Sequence, residues 1–160
     1  SCFVLIRWRY TGSGMALSCD IRIASEKGAL AETFIRRGLP PGDGSCWQLP
    51  RMIGLSNTYL QAYTGDQVDA ETALRWGLVS KVVPHGQLMD ATLELATRLA
   101  EGPVYSMGLI KYLIQRSLNL TFEDSLRLGR AALAAARATE DHKEGVQSFL
   151  EKRPPNFKGR

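Results

Sequence analysis

The sequence has few of the residues that mark secreted or metal-binding proteins. Its 160 residues include three cysteines and two histidines. Because Cys2, Cys19 and Cys46 are odd in number and far apart, they predict neither a disulfide framework nor a zinc site. We therefore expect a reducing compartment, the cytoplasm or an organelle matrix.

Long apolar runs and nucleic-acid-binding patterns are lacking as well. No run is long enough to cross a bilayer, and the apolar opening is followed at once by Arg7-Trp8-Arg9 rather than by a cleavage-site pattern. The net charge of +4 comes without a basic stripe interleaved with aromatic residues, which argues against nucleic-acid binding. The basic tail from His142 to Arg160 suits either a phosphate-bearing ligand or a solvated helix face followed by a loose tail.

The clearest local pattern is the glycine turn Gly12-Ser13-Gly14, followed by a short apolar piece and an alternating strand at 20–25. Glycine lets the backbone approach a ligand closely, so the turn can present bare amides to an oxygen. Such fixed donors are what a developing oxyanion requires. A tight turn before a helix is the alternative, because Gly-x-Gly alone is weakly specific.

Strand and helix patterns alternate along the first half of the chain and predict an α/β fold. The strand at 20–25 is expected to be half-buried, and Leu30 to continue its sheet. From Leu88 onward the pattern is helical throughout. The boundaries predicted by capping and glycine signals are a strand at 2–6, a loop at 39–44, a helix at 45–53 ended by Gly54, a helix closed by Gly65, a helix at 70–76 capped by Asp69, a strand at 79–83, and helices begun by Pro103, Thr121 and Thr139.

Six segments in this order resemble the crotonase superfamily, the enoyl-CoA hydratase/isomerase family. The resemblance covers about residues 11 to 160 and rests on the glycine turn with its CDIRIAS continuation, RRGLPPGDG (36–44), LPRMIG (49–54), TGD (64–66), ALRWGLV (73–79) and EDHKEG (140–145). It implies the C-terminal portion of an α/β, crotonase-like (ClpP/crotonase) fold. In this interpretation residues 1–87 form a partial core and residues 88–160 a helical region that assembles trimers or dimers of trimers.

The N-terminal side departs from the family pattern. Arg7-Trp8-Arg9-Tyr10 stands where the family has a small Asn-Gly-like link, and the family domain extends further upstream. We therefore expect a fragment or an altered N-terminus, with the first oxyanion donor and most of the CoA-binding loop upstream.

The resemblance implies an acyl-CoA enzyme that stabilises an enolate-like state. The amides of Ser13 and Gly14 would polarise the thioester carbonyl, which requires them to face an open cavity. Coenzyme A would enter only as part of the substrate, without a metal or redox cofactor, and the partners would be the acyl-CoA and other copies of the chain. The residues that the resemblance assigns to the substrate pocket are Ala16, Phe34, Leu39, Pro41 and Gly42.

The two glutamates of the family's hydratases have no counterpart at the matching positions, which are Ala16 and Phe34. Only four residues separate Gly14 from Cys19, two fewer than usual, and two residues are about 200° of helix rotation. The remaining candidates to move a proton are Glu32 and Asp43. Glu32 is otherwise a solvated carboxylate or a partner of Arg36.

Asp43 lies near, but one position away from, an aspartate that several branches use, and Asp before Gly is also ordinary turn chemistry.

Phe149 and Lys152, three residues apart on the last helix, resemble the family's grip on the adenine and phosphate end of CoA. Packing for Phe149 and solvent for Lys152 is the alternative. His85 and His142 have no Ser or Cys partner motif nearby and are expected at the surface, whereas Trp47 and Trp76 are expected in the core or a pocket wall. The missing acids keep a second interpretation open: a non-catalytic CoA-binding or oligomerisation homologue, or a nonfunctional truncated product.

Overall fold

The computed structural model describes residues 3–6 and 11–160, with side chains described from Gly14 onward. Cys2 and residues 7–10, on which the sequence made predictions, lie outside the described residues. Contacts divide the chain into two units, Ser1–Glu94 and Leu95–Arg160. The division falls within helix α4 (Leu88–Ala100), whereas the sequence placed a boundary directly before that helix.

The first unit contains two three-stranded sheets. In the first sheet β3 (Ile21–Ser25) lies between β1 (Phe3–Ile6) and β6 (Lys81–Val83), and all three strands are parallel. The second sheet has β4 (Ala29–Ala31) at its centre. Its neighbours are the parallel β2 (Thr11–Gly12) and the antiparallel β5 (Val68–Asp69).

Leu30 therefore belongs to the second sheet, and the prediction that it continues the sheet of the 20–25 strand is wrong. A tight turn separates β3 from β4, closed by a hydrogen bond of 2.8 Å from the Gly28 amide to the Ser25 carbonyl. The turn redirects the chain, so two strands that are close in sequence pair with different partners.

The central strand β3 is buried on both faces rather than half-buried, and the prediction from its alternation is wrong. Arg22 is 8% exposed although it is charged. Its Nε donates to the Leu78 carbonyl and its Nη1 to the Cys19 carbonyl, both at 2.5 Å. Desolvation lowers the pKa of Arg22, but these bonds satisfy the buried guanidinium and tie the strand to two loops.

The helices of the first unit end where local signals predicted. They are α1 (Ser13–Leu17), α2 (Ser45–Thr64) and α3 (Ala70–Trp76), with 3₁₀ turns at Thr33–Arg37 and His85–Gln87. Gly54 interrupts α2 with φ 74° and ψ 167°, and a left-handed Gly65 ends it. The Asp69 carboxylate caps α3 by accepting from the Thr72 amide at 2.7 Å.

The core of this unit packs the glycine-turn helix against α2 and the strands. Its buried members are Ala16, Leu17, Ala24, Leu30, Leu49, Ile53, Val68, Ala70, Ala73, Leu78 and Val79. Both α1 and the first half of α2 contribute to it, so the core fixes the position of the glycine turn relative to the start of α2.

The second unit is helical, with α5 (Val104–Ser117), α6 (Phe122–Arg137) and α7 (Glu140–Glu151). Thr121 and Thr139 cap α6 and α7 by accepting from amides three residues on, each at 3.1 Å, as predicted. Large apolar side chains remain exposed along these helices, among them Ile110, Ile114, Leu126, Leu133 and Leu150. Within the described ranges, every helix is too short or too polar to span a bilayer.

The two hydrogen bonds of the buried Arg22 guanidinium, called here the Arg22 fork, predict an effect on the stability of the first unit. Arg22→Lys keeps the charge but replaces the two donor nitrogens of the planar guanidinium by one ammonium nitrogen, so we expect the free energy of unfolding in urea to fall by about 1–3 kcal/mol. Arg75→Lys is the matched control, since Arg75 is exposed and donates to the Thr72 hydroxyl at 2.9 Å. Equal losses for the two variants would contradict a structural role for the Arg22 fork.

Candidate functional site

The glycine turn meets the loop before α2 through one hydrogen bond. The Gly14 amide donates to Asp43 Oδ2 at 3.0 Å, although the two residues are 29 apart in sequence. The other carboxylate oxygen, Oδ1, accepts from the Ser45 amide at 3.1 Å. Two backbone amides therefore hold the Asp43 carboxylate, while the residue remains exposed.

The geometry requires glycine at the two positions beside this contact, 14 and 44. A Cβ atom on Gly14 would lie 2.4 Å from Asp43 Oδ2, so a side chain there would collide with the carboxylate. Gly44 has φ 88° at the N-terminus of α2, a left-handed conformation that L side chains rarely adopt. Close approach at one glycine and a sharp turn at the other bring the carboxylate to the amide.

The Asp43 carboxyl group is charged at neutral pH. Desolvation acts to raise its pKa, but the hydrogen bonds from Ser45 and Gly14 together outweigh it and leave the pKa below its usual value. The Gly14 amide thus already donates its hydrogen bond to a negatively charged oxygen of the protein itself. The sequence-based interpretation needed this amide to be open, and the structure corrects that expectation. Ser13 begins α1 beside it.

The residues predicted to line a substrate pocket do not all meet. Leu39 and Pro41 line a cleft of about 620 Å³ in the first unit, between their loop and α2. Its other walls are mainly apolar and include Ile35, Cys46, Pro50, Leu55, Tyr59 and Tyr63. Ala16 is buried in the core, Phe34 is half-buried in a 3₁₀ turn and Gly42 is exposed, and none of the three lines this cleft.

Glu32, the other candidate to move a proton, is 1% exposed. It follows β4 and precedes the Thr33–Arg37 turn, so the interpretation as a solvated carboxylate is wrong. Arg36, its suggested partner, lies 3.2 Å from Asp66 on the surface. Burial makes Glu32 less accessible to a ligand than Asp43.

His85 does have a serine partner, contrary to the interpretation from sequence. Its Nδ1 lies 2.9 Å from Ser25 Oγ, at the end of β3. Ser25 is 0% exposed and its Oγ also accepts from the Lys27 amide at 3.1 Å. A hydroxyl so enclosed is closed to substrates, so the pair fastens two chain segments. His142 is exposed, as predicted.

The two tryptophans differ in environment. Trp76 is partly buried and packs against the core cluster, as predicted. Trp47 is 50% exposed, and the Arg51 guanidinium lies 3.9 Å above its ring. The expectation of the core or a pocket wall is therefore wrong for the core, since the Trp47 ring forms a surface cation–π pair, and Trp47 does not line the 620 Å³ cleft.

Phe149 and Lys152, predicted to bind CoA, both face solvent on the second unit. Phe149 is 82% exposed and lines a cleft of about 470 Å³ with Val146 and Phe157, so packing does not explain it. Lys152 ends α7 with φ 54°, the positive-φ residue other than glycine among the described residues.

The sequence analysis missed how the C-terminal segment is anchored. Asp141 is 3% exposed and accepts from the Lys158 amide at 2.7 Å and the Gly159 amide at 2.9 Å. The interpretation of residues beyond α7 as a loose tail is therefore wrong.

A second acid on α7 anchors the same segment. Glu144 forms an ion pair with Arg153 at 2.6 Å and accepts from the Asn156 amide at 2.8 Å. These bonds, that with Arg153 first, lower the pKa of Glu144 to about 2. Acids at 141 and 144, one helical turn apart and followed by a basic segment, were the signal available in the sequence.

Together these features define an α/β protein in which the backbone amide of a glycine turn binds a carboxylate of the following loop, with a helical C-terminal unit after it. The chain belongs to the enoyl-CoA hydratase/isomerase family, whose model matches residues 10–160. The predicted crotonase superfamily and crotonase-like fold are confirmed.

Individual relatives share about a third of their aligned residues with this chain. 1,2-Epoxyphenylacetyl-CoA isomerase of Escherichia coli K12 is 37% identical over 149 residues, which are 93% of this chain and 57% of that protein. Short-chain-enoyl-CoA hydratase of Clostridium acetobutylicum is 33% identical over 150 residues, 93% of this chain and 58% of that protein. The crystal structure of a putative enoyl-CoA hydratase/isomerase from Mycobacterium abscessus has a TM-score of 0.91 at 34% identity, covering 100% of this chain and 60% of that one. This chain therefore spans somewhat more than half the length of these relatives.

Gly14→Ala tests the contact at the centre of the site. The new Cβ excludes the carboxylate, so Asp43 loses one of the bonds that lower its pKa, and that pKa should rise. Carboxyl ¹³C NMR titration measures it. Gly42→Ala is the control, since a Cβ there meets nothing within 4 Å. An unchanged Asp43 pKa in Gly14→Ala would show that the amide bond contributes nothing.

Proposed function

We propose that the protein acts on an acyl-CoA thioester by holding the carbonyl oxygen on the Gly14 amide as it becomes enolate-like. The observation that carries this proposal is the 3.0 Å bond from that amide to a carboxylate oxygen. A donor that already binds a negative oxygen is suited to an oxygen that becomes negative during reaction. A Cβ atom at position 14 would lie 2.4 Å from the bound carboxylate oxygen, so glycine leaves free the space that an oxygen on this amide needs.

The named relatives support the substrate class. The Escherichia coli and Clostridium acetobutylicum proteins carry the names of an isomerase and a hydratase of CoA thioesters. This chain spans 57% and 58% of the lengths of these two proteins. That it has an enzymatic activity of the same kind is therefore our proposal.

Asp43 is the residue that we assign to proton transfer. Once the thioester oxygen takes its place on Gly14, the freed carboxylate lies beside the acyl group. It takes a proton from the carbon next to the carbonyl: the C–H bond breaks, its electron pair forms the enolate, and the proton goes to Asp43. Return of that proton to another carbon of the acyl chain completes an isomerisation. Glu32 is the second candidate, with burial against it.

The clefts suggest where the rest of the substrate lies. The 620 Å³ cleft lined by Leu39 and Pro41 is apolar and within the size range of ligand sites, which suits an acyl chain. On the second unit, exposed Phe149 and Lys152 suit the adenine and phosphates of a CoA whose acyl chain is bound by another copy of the chain. Exposed apolar side chains on α5 and α6 support self-association as a trimer or hexamer, and the odd number and wide spacing of the cysteines support a cytoplasmic location.

A non-catalytic CoA-binding homologue is the second candidate. Ala16 and Phe34 stand at the positions of the family's two glutamates, and the Gly14 amide is occupied by the protein itself. Binding without turnover would follow if Asp43 never left that amide.

Turnover of a panel of enoyl-CoA chain lengths separates the two candidates. We expect hydration or isomerisation, with kcat reduced by roughly 10²–10⁴-fold in Asp43→Asn, the range of general acid–base catalysis, and less in Glu32→Gln. CoA binding without turnover of any chain length would favour the non-catalytic homologue, and a larger loss in Glu32→Gln would move the base to Glu32.

Lys152→Ala tests the CoA grip. Removing an ammonium group that meets a phosphate should raise the Kd for CoA by about fivefold at low salt and less at high salt. Lys143→Ala, on the same helix, is the control for net charge. An equal change in both variants, measured by calorimetry, would mean that Lys152 acts only through the overall charge.

A further inference from the structure

We infer that Asp43 is an internal competitor for the Gly14 amide, so that only a ligand with an acyl carbonyl displaces it and thereby frees the base. This inference rests on the proposed function and adds the order of events at that site. It predicts that Asp43 raises the Kd of acyl-CoA but not the Kd of CoA derivatives without a carbonyl.

The competition follows from the number of donors. One amide hydrogen on Gly14 points at Asp43 Oδ2, at 3.0 Å, and a Cβ atom would not fit between them. A thioester oxygen and the carboxylate oxygen therefore cannot both take this bond. The apparent Kd of a ligand that binds through its carbonyl therefore rises as the fraction of molecules in which Asp43 occupies the amide increases.

The carboxylate can leave because little surrounds it. Asp43 is exposed, so water can take over its hydrogen bonds. Cβ atoms built on Gly42 and Gly44 meet nothing within 4 Å, which shows open space on both sides of the residue. The bond to the amide of buried Ser45 spans only two residues along the chain, so the carboxylate can keep this bond while it leaves Gly14.

Displacement also changes the carboxylate as a base. The bonds from Ser45 and Gly14 lower its pKa, which means that the held carboxylate is a weak base. Loss of the Gly14 bond to the incoming oxygen makes the same group more basic, next to the acyl chain from which it must take a proton. Binding of the carbonyl thus prepares the base that acts on it.

The experiment compares butyryl-CoA with S-butyl-CoA, a thioether that has the same chain length and no carbonyl. Asp43→Ala should lower the Kd of butyryl-CoA by roughly five- to tenfold, the equivalent of one net hydrogen bond, and leave the Kd of S-butyl-CoA unchanged. Asp43→Asn retains a neutral acceptor and the shape of the loop, so it should give an intermediate decrease. Asp66→Ala removes an exposed carboxylate elsewhere in the unit and should change neither Kd.

A second measurement reads the carboxylate directly. In the wild-type chain, ¹³C titration should show the Asp43 pKa rising when butyryl-CoA is bound and unchanged with S-butyl-CoA. The competition is contradicted if Asp43→Ala changes the Kd of both ligands equally, or if the Asp43 pKa does not change when butyryl-CoA binds. Either result would leave the proposed binding of CoA intact. If neither ligand binds the wild-type chain, the proposed function fails and this inference fails with it.

Discussion

The contact between the Gly14 amide and the Asp43 carboxylate joins the glycine turn to the loop before α2, the two segments that form the candidate site. Its backbone half is fixed, because Leu17 of α1 and Leu49 of α2 are buried in one core. Its side-chain half is exposed. A donor held in place by the core is what the proposed oxyanion site requires, since the donor must be in place before the charge develops.

Helix ends were predictable because capping is local chemistry. Asp69, Thr121 and Thr139 each accept from an amide three residues away, so the sequence alone contains both partners. Sheet membership was not, because it depends on pairing with distant strands. Leu30 follows the 20–25 strand closely but pairs with Thr11 and Val68, and the burial of Arg22 depends on a carbonyl 56 residues away.

The site was predicted residue by residue but not as an arrangement. Gly14 and Asp43 were both singled out from sequence, for different roles, and nothing in the pattern showed that one would bind the other. Any residue can supply an amide, so a bond from a side chain to a distant backbone leaves no mark in composition or spacing. The bonds from the Lys158 and Gly159 amides to Asp141, the latter across 18 residues, escaped notice for the same reason.

Two carboxylates in this chain bind pairs of backbone amides, and burial gives them different roles. Asp141 accepts from Lys158 and Gly159 and is 3% exposed, so no water or ligand can replace it and the pair fastens the C-terminal segment. Asp43 accepts from Gly14 and Ser45 and is exposed, so water can replace these amides as partners of its carboxylate. An unmade bond is costly only where solvent cannot substitute for the missing partner. The same chemistry therefore fastens two segments at Asp141 and leaves Asp43 the more easily detached of the two carboxylates, as its proposed part in the reaction requires.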